Sequence, residues 1–412
     1  MPAADRTHPT QDDRTYRRFL KCYYLTHFWY DFIFAYAIYT LYFSLGGMSV
    51  FDISLLLTWW SIAAMVAEVP TGALADSWSR RKMLVLAPLI KALCFMTWYF
   101  ARGSFYLFAL GFLLWAIGHA FNSGTSEALL YDTLVAHGKR EDYARILGKR
   151  KLYFHLGHAI STITGGLIAS YRMDWAILLS VIPLLLSAIS AFQLEEAPKV
   201  ESTEEVHYLE HIRLALREMR SNKVLLYLTL YLWGVSVFGA TEEFDQLYYR
   251  LAGLPIFAFG IVSFVWSTLD GVGSLLAYRL KTRSFVFSAL PFASALLLVP
   301  AFRFPSLLGI GLLLLACALT TPVRVLAESR IQHAITGVSR ATVTSAIALL
   351  LEVPVFSLSL GFIARAWGLP AIYLASAMLL FVVSVWAFGV RRRLEVKSGL
   401  TAREAVQATE PR

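Results

Sequence analysis

The chain has 412 residues, of which 57% are hydrophobic and only 16% are charged. Soluble domains contain roughly 45–50% apolar and roughly 25% charged residues, so this composition excludes an ordinary soluble enzyme. Lys and Arg (37) exceed Asp and Glu (28), giving a formal net charge of +9. In a membrane protein this excess indicates basic cytoplasmic loops and not a nucleic-acid partner. Lipid is therefore predicted to surround most of the chain.

Residues 1–18 are polar and of mixed charge, unlike the basic-then-apolar order of a cleaved signal peptide. They are predicted to form a tail that precedes the first hydrophobic segment. The three cysteines, Cys22, Cys94 and Cys317, lie far apart within apolar runs. They are interpreted as core residues, with neither a disulfide nor a metal site among them.

Twelve segments are long and apolar enough to cross a membrane, which takes about 20 residues per helix. Short breaks such as Gly46-Gly47 and Gly368-Leu369-Pro370 separate them. The pattern predicts an all-α membrane protein of twelve transmembrane helices, without cofactor or metal. The segments are 19–43, 50–74, 83–101, 104–135, 146–170, 174–194, 223–249, 256–280, 284–302, 305–334, 341–365 and 369–390.

Basic residues fall on alternate connections, namely 80–82, 139–151 and 279–283, and again at the start of the C-terminal tail at 391–393. The other connections hold about one Arg each. By the positive-inside rule both termini, 1–18 and 391–412, are predicted to be cytoplasmic. The chain is accordingly expected to be a multi-pass protein of the cell's inner membrane.

Residues 195–222 form the only long charged connection, with Leu209, Ile212, Leu216 and Met219 at helical spacing. They predict an amphipathic helix on the cytoplasmic membrane surface. A linker between two six-helix halves, 19–194 and 223–390, is favoured over a segment that binds a partner.

The two halves are related by a weak internal repeat. The segment Gly72–Val85 aligns with Gly273–Val286, and the same register sets Glu127 opposite Glu328. Internal repeats of this kind are typical of secondary transporters. Two pseudo-symmetric bundles are therefore expected.

The connection between the second and third segments reads GALADSWSRRK. With its twelve spans and central loop, the chain resembles the major facilitator superfamily, whose signature here is Gly, three residues, Asp, Arg, one residue, Gly, Arg, then Arg or Lys. Ser77 and Ser79 depart from the signature. The positions that match it are Gly72, Asp76, Arg80 and Arg81.

The resemblance implies two bundles that rock about a central site and carry a small solute, with no enzymatic activity. It also implies that Asp76 meets a helix end of the opposite half and locks the outward-facing state. The segments Glu68–Gly72 and Ser123–Asp132 are similar to a bacterial subgroup that includes proposed drug exporters. The Gly-Pro pair that marks antiporters is absent at Ser161-Thr162.

Charged groups inside spans cost about 2.5–3.5 kcal/mol each on insertion scales, so acids there are candidate functional residues. Asp31 lies midway along the first segment, beside Tyr30 and four residues after His27. On a helix His27 and Asp31 would share a face and a hydrogen bond. Asp31 is therefore predicted to bind a proton or cation. The alternative is a structural carboxylate paired with a basic group of another helix.

Two further residues are candidates for a central cavity. Glu352 lies at the middle of the eleventh segment, just before Pro354. Trp233 belongs to an aromatic set that would either line a cavity for an aromatic or cationic solute or pack helices together. The rest of that set is Trp29, Tyr30, Tyr36, Tyr39 and Phe238.

Other polar residues are predicted to act at gates or between helices. Glu242 and Asp245 share a face, so one stays protonated if both are buried. Arg324 and Glu328 are expected to form a local ion pair, and Arg145 to pair with Asp76 or Asp142. The complete gate set is Glu68, Glu127, Asp132, Arg145, Glu242, Asp245 and Asp270.

These features favour a secondary active transporter that exports a hydrophobic or cationic compound in exchange for protons and functions as a monomer. Uptake of a nutrient or metal chelate by the same fold is one alternative. A transport-inactive receptor or scaffold acting through 195–222 is another. The sequence contains no Walker loop and no GxSxG nucleophile elbow, so neither an ATP-driven pump nor a hydrolase of that type is predicted.

Overall fold

The structure is a computed structural model, and it describes residues 11–196, 198, 217, 220–280, 283, 285–335 and 355–407. Regular structure in these ranges is entirely helical. The helices are α1 (Gln11–Tyr30), α2 (Tyr39–Leu45), α3 (Val50–Ser77), α4 (Arg80–Phe100), α5 (Phe105–Asn122), α6 (Thr125–Ala136), α7 (Tyr143–Tyr171), α8 (Met173–Leu179), α9 (Val181–Phe192), α10 (Lys223–Gly239), α11 (Glu242–Leu251), α12 (Phe257–Leu280), α13 (Val286–Arg303), α14 (Leu307–Ala334), α15 (Val355–Trp367) and α16 (Ala371–Gln407).

Nine helices or helix pairs in the described ranges are long and apolar enough to cross a membrane. They confirm the predicted all-α membrane fold. Three predicted spans fall outside that set. The first is interrupted, the fifth is the single 29-residue helix α7, and the eleventh is described only from residue 355.

The chain divides into two compact units. Unit 1 comprises Met1–Met48, Leu56–Glu205 and Pro255–Ser263, and unit 2 comprises Ser49–Leu55, Val206–Leu254 and Phe264–Arg412. Both α3 and α12 therefore contribute a short stretch to the unit that does not hold most of their length. Most of the predicted linker, 195–222, lies outside the described residues, so its amphipathic helix stays a prediction.

The first predicted span is broken in its middle. Helix α1 ends at Tyr30, a 3-10 turn covers Phe34–Ala37, and α2 resumes at Tyr39. The break leaves backbone amides without a partner inside the helix. One of them, the Ala35 amide, donates a hydrogen bond to Ser180 Oγ at 3.0 Å. Inside a bilayer such irregular backbone persists only where protein or a water-filled cavity surrounds it.

Glycines let α7 approach this broken span closely. A Cβ added at Gly165 would collide with the Phe34 carbonyl, and one at Gly157 would collide with the Phe28 carbonyl. Small residues at helix contacts allow backbones to come together in membranes. Gly157 and Gly165 thus have a packing role in unit 1.

In unit 2, buried hydroxyl groups bond across helix contacts. Tyr231 on α10 donates to the Phe287 carbonyl of α13 at 2.7 Å. Tyr248 on α11 donates to the Ala301 carbonyl, also on α13, at 2.7 Å. These bonds make α13 a central element of unit 2, because both halves of the seventh predicted span are tied to it.

Large aromatic side chains are exposed at several helix ends. Tyr106 is the second residue of α5, Tyr171 ends α7 and Trp367 ends α15, and all three are exposed. Each adjoins a connection that the charge pattern assigns to the outer side of the membrane. Trp and Tyr favour the layer where lipid tails meet headgroups, so these positions fit membrane anchors.

We expect Gly165→Ala to destabilise the protein by about 1–3 kcal/mol, because the added methyl group overpacks the contact with the broken span. The matched control is Gly148→Ala on the same helix, where an added Cβ meets nothing within 4 Å. Replacing an open helical glycine by alanine gains about 0.5–1 kcal/mol. The melting temperature of the detergent-purified protein should therefore fall in Gly165→Ala and rise in Gly148→Ala. Equal shifts would contradict the packing role.

Candidate functional site

Asp31 lies at the break in the first span and is only 6% exposed. The Tyr36 hydroxyl donates to its Oδ1 at 2.8 Å. His158 Nδ1 on α7 lies 3.2 Å from its Oδ2, and Lys91 Nζ on α4 lies 3.9 Å from its Oδ1. The carboxylate is therefore held by one hydroxyl and two basic groups of other helices.

Lys91 is 2% exposed and is surrounded by groups that suit an ammonium ion. Its Nζ donates to the Tyr36 hydroxyl at 2.9 Å and to the Tyr30 carbonyl at 3.4 Å. It also lies 4.4 Å from the centre of the Tyr30 ring and 5.1 Å from that of Trp115. The helix α1 ends at Tyr30, so the ammonium receives both cation–π contacts and the negative end of a helix dipole.

These groups form one bonded series from His158 through Asp31 and Tyr36 to Lys91, which we call the Asp31 cluster. Asp31 and Lys91 are buried, whereas the His158 side chain at one end of the series is 28% exposed and Tyr36 is partly buried. A series of donors and acceptors with one open end can take up, hold and release a proton. The predicted alternative for Asp31, pairing with a base from another helix, is also present in this geometry.

His27 does not bond to Asp31, contrary to the expectation from their spacing. Its Nε2 lies 2.7 Å from Ser126 Oγ, in a second group of bonds completed by Tyr23 and Arg150. The i,i+4 argument fails because α1 ends at Tyr30, one residue before Asp31. Sequence spacing places two residues on one face only while the helix continues.

Glu127 belongs to this second group through Arg150. Arg150 Nη2 donates to Glu127 Oε1 at 3.0 Å, and Nη1 donates to Ser126 Oγ at 3.2 Å. The fourth predicted span is interrupted beside these residues, where Gly124 adopts a φ of 67° before α6 begins. The interruption separates α5 from α6, so that α6 begins with the residues that contact α1 and α7.

The basic motif after the second span is tied to two acids of unit 1. Arg80 Nη1 donates to Asp132 Oδ2 in a contact that is buried on both sides. Glu196 accepts the backbone amides of Arg80 at 2.7 Å and Arg81 at 3.2 Å, and the Ser79 hydroxyl also donates to it. A carboxylate thus caps the N-terminus of α4, where the helix dipole favours negative charge.

Two acids of unit 2 have contrasting surroundings. Asp270 Oδ1 accepts from Thr321 and from Arg324 Nη2, both at 2.7 Å. Asp245 is buried and accepts from the Tyr373 hydroxyl at 2.6 Å. Arg324 thus bonds across helices from α14 to α12, and its expected local pair with Glu328 stays a prediction.

The predicted aromatic set packs against other side chains. The Tyr30 ring faces Lys91, Trp233 lies 4.6 Å from Phe356, and Phe238 lies 5.7 Å from Trp266, measured between ring centres. One face of Tyr30 is therefore occupied by the ammonium group of this chain. Solute contact by Tyr30 and Trp233 stays a prediction.

The remaining candidates are placed as follows. Arg145 pairs with Asp142 at 2.9 Å, one of its two predicted partners. Glu68 lies on α3 and Glu242 begins α11. Glu352, Pro354 and the side chain of Asp76 lie outside the part that the structure describes, so the roles expected for them stay predictions.

A family model described as the Major Facilitator Superfamily matches residues 22–351. The chain belongs to this superfamily. No curated protein matches its sequence. The match confirms the family that the motif Gly72 to Arg81 indicated, while the drug-exporter subgroup rests on the sequence resemblance alone.

Solved structures of other superfamily transporters have the same fold. A bacterial homologue of the human lysosomal transporter Spinster, inward-facing and occupied, gives a TM-score of 0.74 at 15% identity over 93% of this chain and 98% of that one. The nucleoside transporter NupG gives 0.69 at 12% over 91% and 98%. A D-xylose-proton symporter gives 0.67 at 11% over 90% and 96%. At these identities the likeness establishes the fold alone.

Sequence reasoning missed Lys91, the cation at the centre of the Asp31 cluster. The signal was present, because Lys91 lies near the middle of the apolar segment 83–101, where a charge is costly and points to function. Glu196 was also missed as a bonding partner. Its position at the end of a span gave no indication that it would reach α4.

We expect Arg80→Met to destabilise the protein by about 3–5 kcal/mol, because it leaves the buried Asp132 without its cation. The control is Arg145→Met, whose partner pair is largely exposed, at 66% for Arg145 and 29% for Asp142. An exposed pair contributes about 0–1 kcal/mol. Thermal melting of the two purified variants measures the difference. A similar loss of stability in both variants would show that burial does not increase the contribution of the Arg80–Asp132 pair.

Proposed function

We propose that this superfamily member is a proton-coupled secondary active transporter that moves a small organic solute across the cell's inner membrane by alternating access. The observation that carries the proposal is the Asp31 cluster, in which a buried carboxylate and a buried ammonium share one hydroxyl. No enzymatic step is proposed, because the transporter fold and this cluster account for the chemistry available. The described residues contain no group of His, Cys, Asp and Glu that could hold a metal ion.

Protonation of Asp31 changes the balance of charge in the cluster. With Asp31 ionised, the ammonium of Lys91 has a counter-charge 3.9 Å away. When Asp31 takes a proton, Lys91 keeps its aromatic and carbonyl contacts. It loses that counter-charge, however, in a site that is buried away from water. A buried charge left without its partner is strongly destabilising. Protonation therefore favours a different arrangement of the surrounding helices, which is the requirement for coupling.

The broken span provides a means of rearrangement. Between Tyr30 and Tyr39 the backbone lacks a continuous helical ladder, so its dihedral angles can change without opening a full helix. Discontinuous helices form the substrate and ion sites of many secondary transporters. Asp31 and Tyr36 both lie on this stretch, so a change in their bonding acts directly on the backbone.

For the solute, we propose a hydrophobic compound, neutral or cationic, with export as the direction. Export rests on the sequence resemblance to an exporter subgroup. The preference for cations rested on an excess of acids within the spans, and Lys91 offsets one of those acids. The proposed solute is therefore defined by its apolar character and not by its charge. Both termini are proposed to be cytoplasmic.

We expect Asp31→Asn to abolish solute movement driven by a pH gradient. Compounds that raise the melting temperature of the purified protein, a sign of specific binding, would serve as probes in proteoliposomes with the gradient imposed in either direction. The control is Asp174→Asn, a partly exposed acid paired with Arg172 at 2.6 Å. Gradient-driven flux that persists in Asp31→Asn at the level of Asp174→Asn would overturn the coupling role.

The pairing of Asp31 with Lys91 also predicts that the two residues are coupled in their effect on stability. Asp31→Asn leaves a buried ammonium without its counter-charge, whereas Asp31→Asn with Lys91→Met removes both charges. We expect the single and double variants to be non-additive by about 0.5–3 kcal/mol, as for residues in one network. Melting of the two single variants, the double variant and the parent closes the cycle. Additive effects would mean that the two charges do not interact.

A further inference from the structure

Asp245, at the start of α11 in unit 2, has no balancing cation among the described residues. It is 2% exposed, and Oδ1 accepts the Tyr373 hydroxyl at 2.6 Å. Its other oxygen, Oδ2, has no hydrogen-bond partner in the structure. Among the described residues no Lys, Arg or His forms an ion pair or hydrogen bond with it.

The titratable groups around Asp245 are acids and phenols. Glu242 and Glu243 precede it on the same helix, and Tyr248 and Tyr249 follow it. From other elements, Tyr373 of α16 bonds to it, and Cys317 of α14 lies near Tyr249. None of these groups carries a positive charge. A neighbouring carboxylate makes a second negative charge less favourable.

A buried carboxylate without a cation does not persist as an ion, because the loss of hydration exceeds what one hydrogen bond returns. A proton on the free oxygen removes the charge while Oδ1 keeps its bond to Tyr373. We propose that Asp245 is a second proton-binding site of this protein, occupied by a proton in the conformation described here. Its place in a transport cycle rests on the proposed function, whereas its protonation does not.

Comparison with Asp31 shows what distinguishes the two sites. Each Asp follows the break of the first span in its half and accepts a tyrosine hydroxyl on Oδ1. Asp31 also has Lys91 and His158, whereas no described residue gives Asp245 such a partner. The register of the internal repeat places Leu232 opposite Asp31. Asp245 is therefore a separate feature of unit 2 and not a copy of the first site.

The position of Asp245 gives it access to one side of the membrane. It lies one turn into α11, after the exposed Glu242, toward the end of the seventh span that the charge pattern assigns to the outside. A proton can exchange between water and Asp245 by way of Glu242 and Glu243. The chain would then bind one proton in each unit.

Infrared spectroscopy of the purified protein tests this directly, because a neutral carboxyl group has a C=O stretching band that an ionised carboxylate lacks. At neutral pH we expect the parent protein to show such a band, shifted in D₂O, and Asp245→Asn to lose it. Tyr373→Phe should move its frequency, because the bond to Oδ1 is gone. Glu242→Gln should leave it unchanged.

Two results would overturn the proposal. The band could persist unaltered in both Asp245→Asn and Tyr373→Phe, or it could disappear in Glu243→Gln while Asp245→Asn retains it. If Asp245→Asn does not fold, the frequency shift in Tyr373→Phe decides alone. Asp31→Asn should keep the band. Loss of gradient-driven flux in Asp31→Asn and loss of the band in Asp245→Asn are therefore separate outcomes. The proposed transport function and the proposed protonation of Asp245 can each fail without the other.

Discussion

The end of α1 at Tyr30 is the constraint on which the candidate site of this protein depends. In a continuous helix the Tyr30 carbonyl would accept the amide of Phe34, and Asp31 would point along the helix face with His27. Because the helix stops, that carbonyl is free to accept Lys91, and Asp31 turns toward α4 and α7. The glycines of α7 bring His158 close enough to complete the cluster. One interruption thus converts an apolar span into a charged site.

Three acids of the two units, two of which are buried, each accept a hydrogen bond from a hydroxyl group but differ in their balancing cation. Asp31 accepts a hydroxyl from Tyr36 and lies near an ammonium, and Asp270 accepts a hydroxyl from Thr321 and a guanidinium from Arg324. A hydroxyl orients the carboxylate, and a cation balances it. Asp245 has the hydroxyl without the cation. At Asp245 we propose that a proton takes the place of the missing cation. The charge balance of a buried acid is thereby linked to the proposed transport of protons.

Hydropathy was sufficient to predict the fold, because the length of an apolar helix is set by the bilayer. It gave the class of the protein and the positions of most helices. The site was less accessible to sequence reasoning. Asp31 was found because a charge in lipid is costly, and Lys91 carried the same signal. The partners of Asp31 and Arg324 were not predictable, because helical spacing relates residues only within one helix and these bonds cross between helices.

The carboxylate cap of α4 has a mechanical consequence. Glu196 follows α9 in the chain, and it is bonded to Ser79 and to the first amides of α4. The bonds of Glu196 join the chain after α9 to the N-terminus of α4, the helix that carries Lys91 about three turns further on. The cap therefore fixes the chain that follows α9 to the same helix that holds the buried ammonium.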